Sequence, residues 1–321
     1  MERLSLRQIV LILAIGAFCA ALVLVIPEVR LHSIARVALF AGAAMSLNLL
    51  IGNAGLISVG QGMFLGIGAY TVAIANIKFD IPFGQAALLV VPISLVLACL
   101  AGAVALRARS LFFALLTLAI AQVFYVLAAR NYNLTGGDDG LVGILIPAWL
   151  DSEAAQYLLV VCSTTAICLA LLVLLASPFG ATLRAVRDNA DRVASLGGNP
   201  RLYEFSAFVI TGVIGGLLGI VAAAINRSVE PNIVSWTTGT ELLVMVALGG
   251  RSTFLGPITG AILLELARSN IQRYSDHADL AVGLIVICCA VFLPEGIGAA
   301  LRVVFTRLKT SRRVARDEVR A

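Results

Sequence analysis

One stretch decides the fold class of this chain. Residues 83–105 read FGQAALLVVPISLVLACLAGAVA, which is 23 consecutive residues without a charged side chain. A helix of this length crosses the hydrocarbon core of a bilayer, which is roughly 30 Å thick. Backbone in that layer must satisfy its own hydrogen bonds, so the stretch predicts a membrane-spanning helix and not an open strand.

Similar runs recur along the whole chain. Of 321 residues, 60% are hydrophobic and 13% are charged, whereas a soluble domain carries about a quarter charged residues. Ten candidate spans follow: 9–26, 34–51, 56–77, 83–105, 111–129, 155–176, 205–225, 238–248, 254–267 and 280–293. The eighth is too short to cross unaided, which predicts a half-helix or re-entrant segment. The sequence predicts an all-α polytopic membrane protein with about ten transmembrane helices.

The distribution of Lys and Arg predicts the orientation of these spans. With the N-terminus in the cytoplasm, 16 of the 23 basic residues lie in inside connections, including the basic tail 302–321, and the other seven lie outside. Basic residues concentrate on the cytoplasmic side of membrane proteins. We therefore expect both termini inside. Residues 9–26 could also be a signal peptide, but no small-residue cleavage site follows, which favours a retained helix.

The connection at residues 178–200 is predicted to hold a helix outside the membrane. Pro178 blocks continuation of the preceding span, and Gly197 offers a left-handed cap at the other end. Residues 181–196 carry charges at i,i+4 spacing. The expected pairs are Arg184–Asp188, Asp188–Arg192 and Arg187–Asp191. Leu183, Val186, Val193 and Leu196 form its apolar side. Such a helix suits docking onto another protein, and a solvated connector is the alternative.

Residues 52–70 are rich in glycine, with Gly at 52, 55, 60, 62, 66 and 68. Two interpretations stand side by side: close helix packing, or a broken helix whose free backbone groups line a polar path. A related Gly-rich stretch at 249–260 carries further polar side chains. The candidates for the path are Asn53, Ser58, Gln61, Tyr70, Ser252 and Thr253.

Several chemistries have no residues to carry them. A phosphate-binding loop needs a lysine after glycine, and Lys78 and Lys309 are the chain's two lysines. No catalytic or metal-ligating constellation is present, so we expect neither an enzyme nor a bound cofactor. Acids within spans are sparse. Glu265 and Glu241 keep open the alternative of a stand-alone, ion-coupled secondary transporter.

Taken together, the motifs resemble the permease subunits of bacterial ATP-binding-cassette (ABC) importers for branched-chain amino acids, of the M type. The resemblance covers about residues 35–298. It rests on residues 52–70 with their Phe-x-Gly-x-Gly-Ala-Tyr pattern, on Leu134-Thr135-Gly136-Gly137 with Gly140-Leu141, on residues 184–189, and on Ala194-x-Leu196-Gly197.

This resemblance implies a fold and a set of partners. The fold would be a single ABC importer permease domain over residues 1–321, working by alternating access in the bacterial inner membrane. Partners would be a second, H-type permease, two ATPase subunits that bind ATP and Mg, a periplasmic binding protein and membrane lipid, with no nucleic acid. Urea and amide importers share the architecture, so the substrate stays open.

The resemblance also assigns the loop at 180–198 as the coupling helix that docks in a cleft of the ATPase. The residues expected to take part are Leu183, Arg184, Arg187, Asp188, Asp191, Leu196 and Gly197.

Overall fold

The computed structural model describes residues 6–25, 27–271 and 283, and the described chain is mainly helical. Its helices are α1 Leu6–Ala21, α2 Glu28–Asn48, α3 Gln61–Phe79, α4 Phe83–Ala105, α5 Leu111–Arg130, α6 Tyr132–Thr135, α7 Glu153–Ala176, α8 Pro178–Asp188, α9 Ala190–Ser195, α10 Pro200–Asn226, α11 Trp236–Gly249 and α12 Gly256–Ile271. Two short strands, β1 Leu141–Val142 and β2 Ser228–Val229, form an antiparallel pair.

Six helices of the described chain are long and apolar enough to cross a membrane. They include α4, whose bounds match the predicted run 83–105, and they confirm a polytopic helical membrane protein. The first predicted span forms a shorter apolar helix, Ile9–Leu24. The eighth and ninth spans correspond to the short helices α11 and α12. The predicted span 280–293 and the tail 302–321 lie outside the described residues, apart from residue 283.

The third predicted span, 56–77, is wrong at its start. The α2 helix continues into a π-helical turn, Leu49–Ala54, and ends where Gly55 adopts a left-handed conformation with φ 75°. A non-helical stretch follows, and α3 begins only at Gln61. The break arises because Gly55 tolerates positive φ at no steric cost, which a residue with a Cβ does not. Residues 55–60 are therefore a true interruption between two spans.

The centre of the bundle is formed by α2, α3 and α10, the most deeply buried of the spans. A Cβ atom on Gly68 would collide with the carbonyl oxygen of Gly216, and one on Gly219 would collide with that of Leu65. The α3 and α10 backbones thus touch, the close approach that small residues permit in membrane bundles. By contrast, most of α4 and α5 is exposed, including large apolar side chains such as Val96 and Leu100. These two helices present the apolar surface that lipid requires.

The connections gather at two ends of the bundle. At one end, β1 pairs with β2, and the guanidinium group of Arg227 lies 2.6 Å from a carboxylate oxygen of Asp151. We call this the β end. At the other end lie α8 and α9, together with the C-terminal end of α7 and the start of α10. We call this the α8 end.

The described residues divide into two compact units, one up to Leu243 and one from Val244 onward. Within the second unit, α11 and α12 cross tightly: a Cβ atom on Gly249 would meet the carbonyl of Gly256, and one on Gly260 would meet that of Met245. The single domain expected over residues 1–321 stays a prediction.

Candidate functional site

Two helices, not one, occupy the predicted surface segment. The prediction of a continuous helix over 181–196 is wrong because Asn189 adopts an extended backbone, with φ −162° and ψ 97°. Its side-chain oxygen accepts a hydrogen bond from the N–H of Arg192 at 2.9 Å. Asparagine is among the preferred N-cap residues, since this bond satisfies one of the free N–H groups of a first helical turn. Asn189 therefore ends α8 and starts α9.

The predicted left-handed cap after α9 is confirmed. Gly197 has φ +85°, its N–H donates to the carbonyl of Ala194, and the N–H of Gly198 donates to the carbonyl of Val193. This pair of bonds is the Schellman arrangement, which satisfies the last carbonyls of a helix. Gly197 thus acts through its backbone conformation.

The three predicted i,i+4 ion pairs are wrong. The break at Asn189 removes the helical register between residues before and after it, so Asp188 and Arg192 no longer share a face. Arg187 instead pairs with its neighbour Asp188, with Nη2 2.8 Å from Oδ1. Arg184 turns back and donates to the carbonyl oxygen of Leu175 at 3.0 Å. Asp191 lies exposed on α9.

The apolar residues of this segment divide between two environments. Leu183 and Val186 are 0% and 3% exposed, because they pack α8 onto the rest of the chain. Leu183, which the resemblance places at the ATPase contact, is buried within this chain in this conformation, and its docking role stays a prediction. Leu196, at the end of α9, is 83% exposed. An exposed leucine outside the spans is the apolar group here that a partner could cover.

Arg187 connects α8 with the interruption between α2 and α3. Its guanidinium Nη1 donates to the carbonyl oxygen of Gly52, in the π-helical turn that ends the second span. A Cβ atom on Gly55 would lie 2.8 Å from Cγ of Arg187. The stem of Arg187 therefore lies over Gly55, and its charged end holds a carbonyl that the π-helical turn leaves available.

A polar cluster lies inside the bundle where α3 begins. Gln61 is 0% exposed, and its Nε2 donates to Ser46 Oγ and to the carbonyl of Thr211, both at 3.1 Å. Its Oε1 is buried and has no hydrogen-bond partner among the described residues. Buried amides without full pairing are costly. The cluster joins α2, α3 and α10 at one point of the core.

The four path candidates of the first compact unit do not line an open surface of the described chain. Ser58 and Gln61 are fully buried, and Ser58 Oγ accepts from the N–H of Gly60. Asn53 is partly exposed and donates to the carbonyl of Asn48 at 3.3 Å. Tyr70 is 7% exposed. In this conformation these residues are core or turn groups.

The remaining candidates, Ser252 and Thr253, lie in the turn between α11 and α12, within the second compact unit. Thr253 Oγ1 donates to the carbonyl of Gly250 at 3.4 Å, and Ser252 is exposed.

A polar segment outside the predicted path candidates precedes α11. Residues Pro231–Val234 form a 3-10 turn, after which Ser235, Thr237 and Thr238 surround the start of α11. Thr237 is exposed and Thr238 partly so. Hydroxyl residues just before and within a first helical turn are a start signal, so the sequence carried a hint of this site.

Among the residues that the structure describes, no group of three or more His, Cys, Asp or Glu side chains could hold a metal ion. The fold and the site define a polytopic helical membrane protein. Its helices are interrupted within the bundle, and a two-helix surface element stands at one end.

The chain belongs to the family described as branched-chain amino acid transport system / permease component, which matches residues 29–291. This confirms the family that the motifs predicted. No solved structure matches the chain significantly.

Three curated relatives illustrate the range of this similarity. The high-affinity branched-chain amino acid transport system permease protein LivM of Escherichia coli K12 is 26% identical over 284 residues, which is 79% of this chain and 66% of that protein. The probable LivM of Methanocaldococcus jannaschii is 26% identical over 52% of this chain and 50% of its own length. The autoinducer 2 import system permease protein LsrC of Photorhabdus laumondii is 27% identical over 55% of this chain and 54% of its own. The chain thus spans just under two thirds of the length of the E. coli relative.

Proposed function

We propose that this chain is a membrane-spanning permease subunit of an ABC importer and that it translocates branched-chain amino acids. Family membership supports the permease role, and the LivM relatives support the solute. The observation that carries the proposal is the α8–α9 element. It ends in an exposed Leu196 on one side and contacts the interrupted span through Arg187 on the other. An element of this kind can receive force from a partner and pass it to the bundle.

The α8 end would face the cytoplasm. Arg107, Arg109, Arg184, Arg192 and Arg201 all lie in connections at this end or next to it, and basic residues concentrate on the cytoplasmic side. The chain would then sit in the bacterial inner membrane as a multi-pass protein with both termini inside. The basic tail 302–321 would lie near anionic headgroups.

The partners would supply the energy and deliver the solute. Two ATPase subunits would bind ATP and Mg and dock against α9 through residues that include Leu196 and Asp191. A second, H-type permease would complete the path, and a periplasmic binding protein would deliver the solute at the β end. ATP would close the ATPases and move α8, and Arg187 would transmit that movement to residues 52–55. Packed elements with two discrete arrangements convert such shifts into alternating access.

A second solute class has an observation in its favour. The LsrC relative carries a name for autoinducer 2 import and aligns with more than half of this chain. Its coverage is lower than that of the E. coli LivM relative, so branched-chain amino acids come first. Urea or an amide would suit the same architecture.

The test is uptake by cells that lack only this gene, with and without complementation. We expect uptake of labelled leucine to disappear in the deletion strain, to return on complementation, and to resist excess unlabelled urea or autoinducer 2. Unchanged leucine uptake together with a loss of urea or autoinducer 2 uptake would show that the amino-acid assignment is wrong.

A further inference from the structure

The segment that leads into α11 lies against the first turns of α3. A Cβ atom on Gly66 would collide with Val234, and one on Gly62 would lie 2.9 Å from the carbonyl oxygen of Ser235. A Cβ atom on Gly239 would meet the carbonyl of Val59. The start of α11 and the start of α3 therefore lie at the same level of the bundle.

That level is deep inside the membrane-spanning part. Gln61, the first residue of α3, bonds to Thr211, which lies near the middle of the 27-residue helix α10. At about 1.5 Å per residue, Thr211 is roughly 16 Å from the start of α10. The chain leaves β2 at the β end, descends through residues 230–235, and starts α11 within the bundle. Such half-helices with interrupted backbone occur where a membrane protein lines a cavity or path.

The start of α11 has unused donors and an exposed polar face. None of the residues that the structure describes accepts from the N–H groups of Trp236, Thr237 or Thr238, the first turn of the helix. The Ser235 hydroxyl bonds to Thr237 Oγ1. Asn232 and Thr237 are exposed. Lipid does not suit exposed polar groups at this depth, so this face is turned toward a polar ligand or a partner.

Tyr70 provides an independent sign of a ligand. It follows Gly62 and Gly66 at i,i+4 spacing on the face of α3 that packs on Val234 and Ser235. Because helical side chains lean toward the start of their helix, the Tyr70 side chain leans toward these two glycines. Its hydroxyl is buried and has no hydrogen-bond partner among the described residues. An unpaired phenol hydroxyl is a donor for an anionic group.

We propose that the first turn of α11, residues 235–238, binds the carboxylate of the transported solute together with the Tyr70 hydroxyl. The free N–H groups and the positive end of the helix dipole favour an anion there, and Thr237 presents its side chain from the exposed face. This site rests on the proposed amino-acid import, which supplies the carboxylate. It differs from the buried Ser58 and Gln61 that the sequence suggested for the path.

Thiol labelling in the assembled transporter tests the site. The background variant replaces Cys19, Cys99, Cys162, Cys168, Cys288 and Cys289 by alanine and must retain uptake. Thr237→Cys is then reacted in membranes with an anionic methanethiosulfonate (2-sulfonatoethyl) and a cationic one (2-trimethylammonioethyl). Val142→Cys in β1 is the accessible control, and Val96→Cys on the exposed face of α4 is the lipid-facing control.

We expect Thr237→Cys to react and Val96→Cys to stay unmodified. Relative to a small free thiol in the same buffer, the anionic-to-cationic rate ratio at Thr237→Cys should be raised about three- to thirtyfold, because a helix N-terminus favours the anionic reagent and disfavours the cationic one by similar amounts. Adding Tyr70→Phe should lower that ratio. A thiol at 237 as inert as the one at 96, or a ratio no higher than that of the free thiol, would overturn the site.

The labelling does not depend on leucine transport, so the two proposals fail separately. If the anion preference is absent while leucine uptake is intact, the proposed site is wrong and the proposed importer function still stands. If the anion preference is present but the chain does not transport leucine, the anion site stands and the amino-acid assignment is wrong.

Discussion

The guanidinium group of Arg187 donates a hydrogen bond to the carbonyl oxygen of Gly52, across 135 residues of chain. Gly52 belongs to the π-helical turn that ends the second span, and Arg187 belongs to the surface helix α8. The side chain that the sequence suggested for docking is therefore engaged within the chain. It is the most direct link between the surface element and the interrupted span.

Removing this link should uncouple the two elements. A hydrogen bond to a charged group contributes about 1.5–3 kcal/mol, and Arg187 is partly exposed, so we take the lower end. We expect Arg187→Ala to lower uptake per ATP hydrolysed about tenfold, which corresponds to about 1.4 kcal/mol. The matched control is Asp188→Asn, which removes only the exposed ion pair and should behave like wild type, since exposed pairs contribute little. Equal coupling in wild type and Arg187→Ala would exclude this role.

Gly55 should resist substitution for a reason that most glycines lack. Its φ of 75° disfavours any residue with a Cβ, and that Cβ would press on Cγ of Arg187. We expect Gly55→Ala to lower the free energy of unfolding by about 1–2 kcal/mol, seen as a reduced melting temperature in detergent. Gly84→Ala is the control, since a Cβ atom on Gly84 would have no neighbour within 4 Å. Equal melting temperatures for the two variants would contradict the strained turn.

Leu196 should carry binding energy for a cytoplasmic partner. Covering a leucine side chain contributes about 1.5–3 kcal/mol, so Leu196→Asp should weaken co-purification with the ATPase subunit by roughly 10- to 100-fold. Val142→Asp makes the same change at a similarly exposed residue of the β end and should leave ATPase association intact. If Leu196→Asp associates with the ATPase subunit as well as the wild type does, the docking surface does not include Leu196.

Gln61 should tolerate charge poorly. In Gln61→Glu the Nε2 donor to Ser46 and Thr211 becomes an acceptor facing a carbonyl oxygen, inside a core where an unpaired group costs about 1–3 kcal/mol or more. We expect a clear fall in melting temperature. Gln85→Glu is the matched control, because Gln85 is exposed in the first turn of α4, where a negative charge is favourable. An unchanged melting temperature in Gln61→Glu would show that the cluster is hydrated.

The sequence was sufficient for the fold class and for long spans such as α4, because the apolar character and length of a span are local properties. Residues 83–105 form a helix with the predicted bounds, and the cap at Gly197 follows from a Gly pair before a proline. The break at Asn189 was also within reach, since asparagine is a preferred cap. The i,i+4 charge spacing favours a continuous helix instead, and such pairs form only where the helix is unbroken.

The path residues could not be identified from one chain because their environment is set by distant segments. Gln61 is buried by Ser46 and Thr211, which lie 15 and 150 residues away. Leu183 has the same apolar character as Leu196, and only packing separates a buried leucine from an exposed one. The start of α11 belongs to a short apolar run of the sequence. The length of that run predicts a re-entrant segment, but it does not predict which segments pack against it.

One measurement distinguishes an ABC importer from a secondary transporter: solute uptake by the assembled transporter in proteoliposomes. ATP and Mg are enclosed on the α9 side of the membrane. We expect accumulation of leucine only when ATP is hydrolysed, no effect of dissipating ion gradients, and no requirement for the Glu241 carboxylate. ATP-independent uptake that follows an ion gradient and disappears in Glu241→Gln or Glu265→Gln would contradict the importer and identify a secondary transporter.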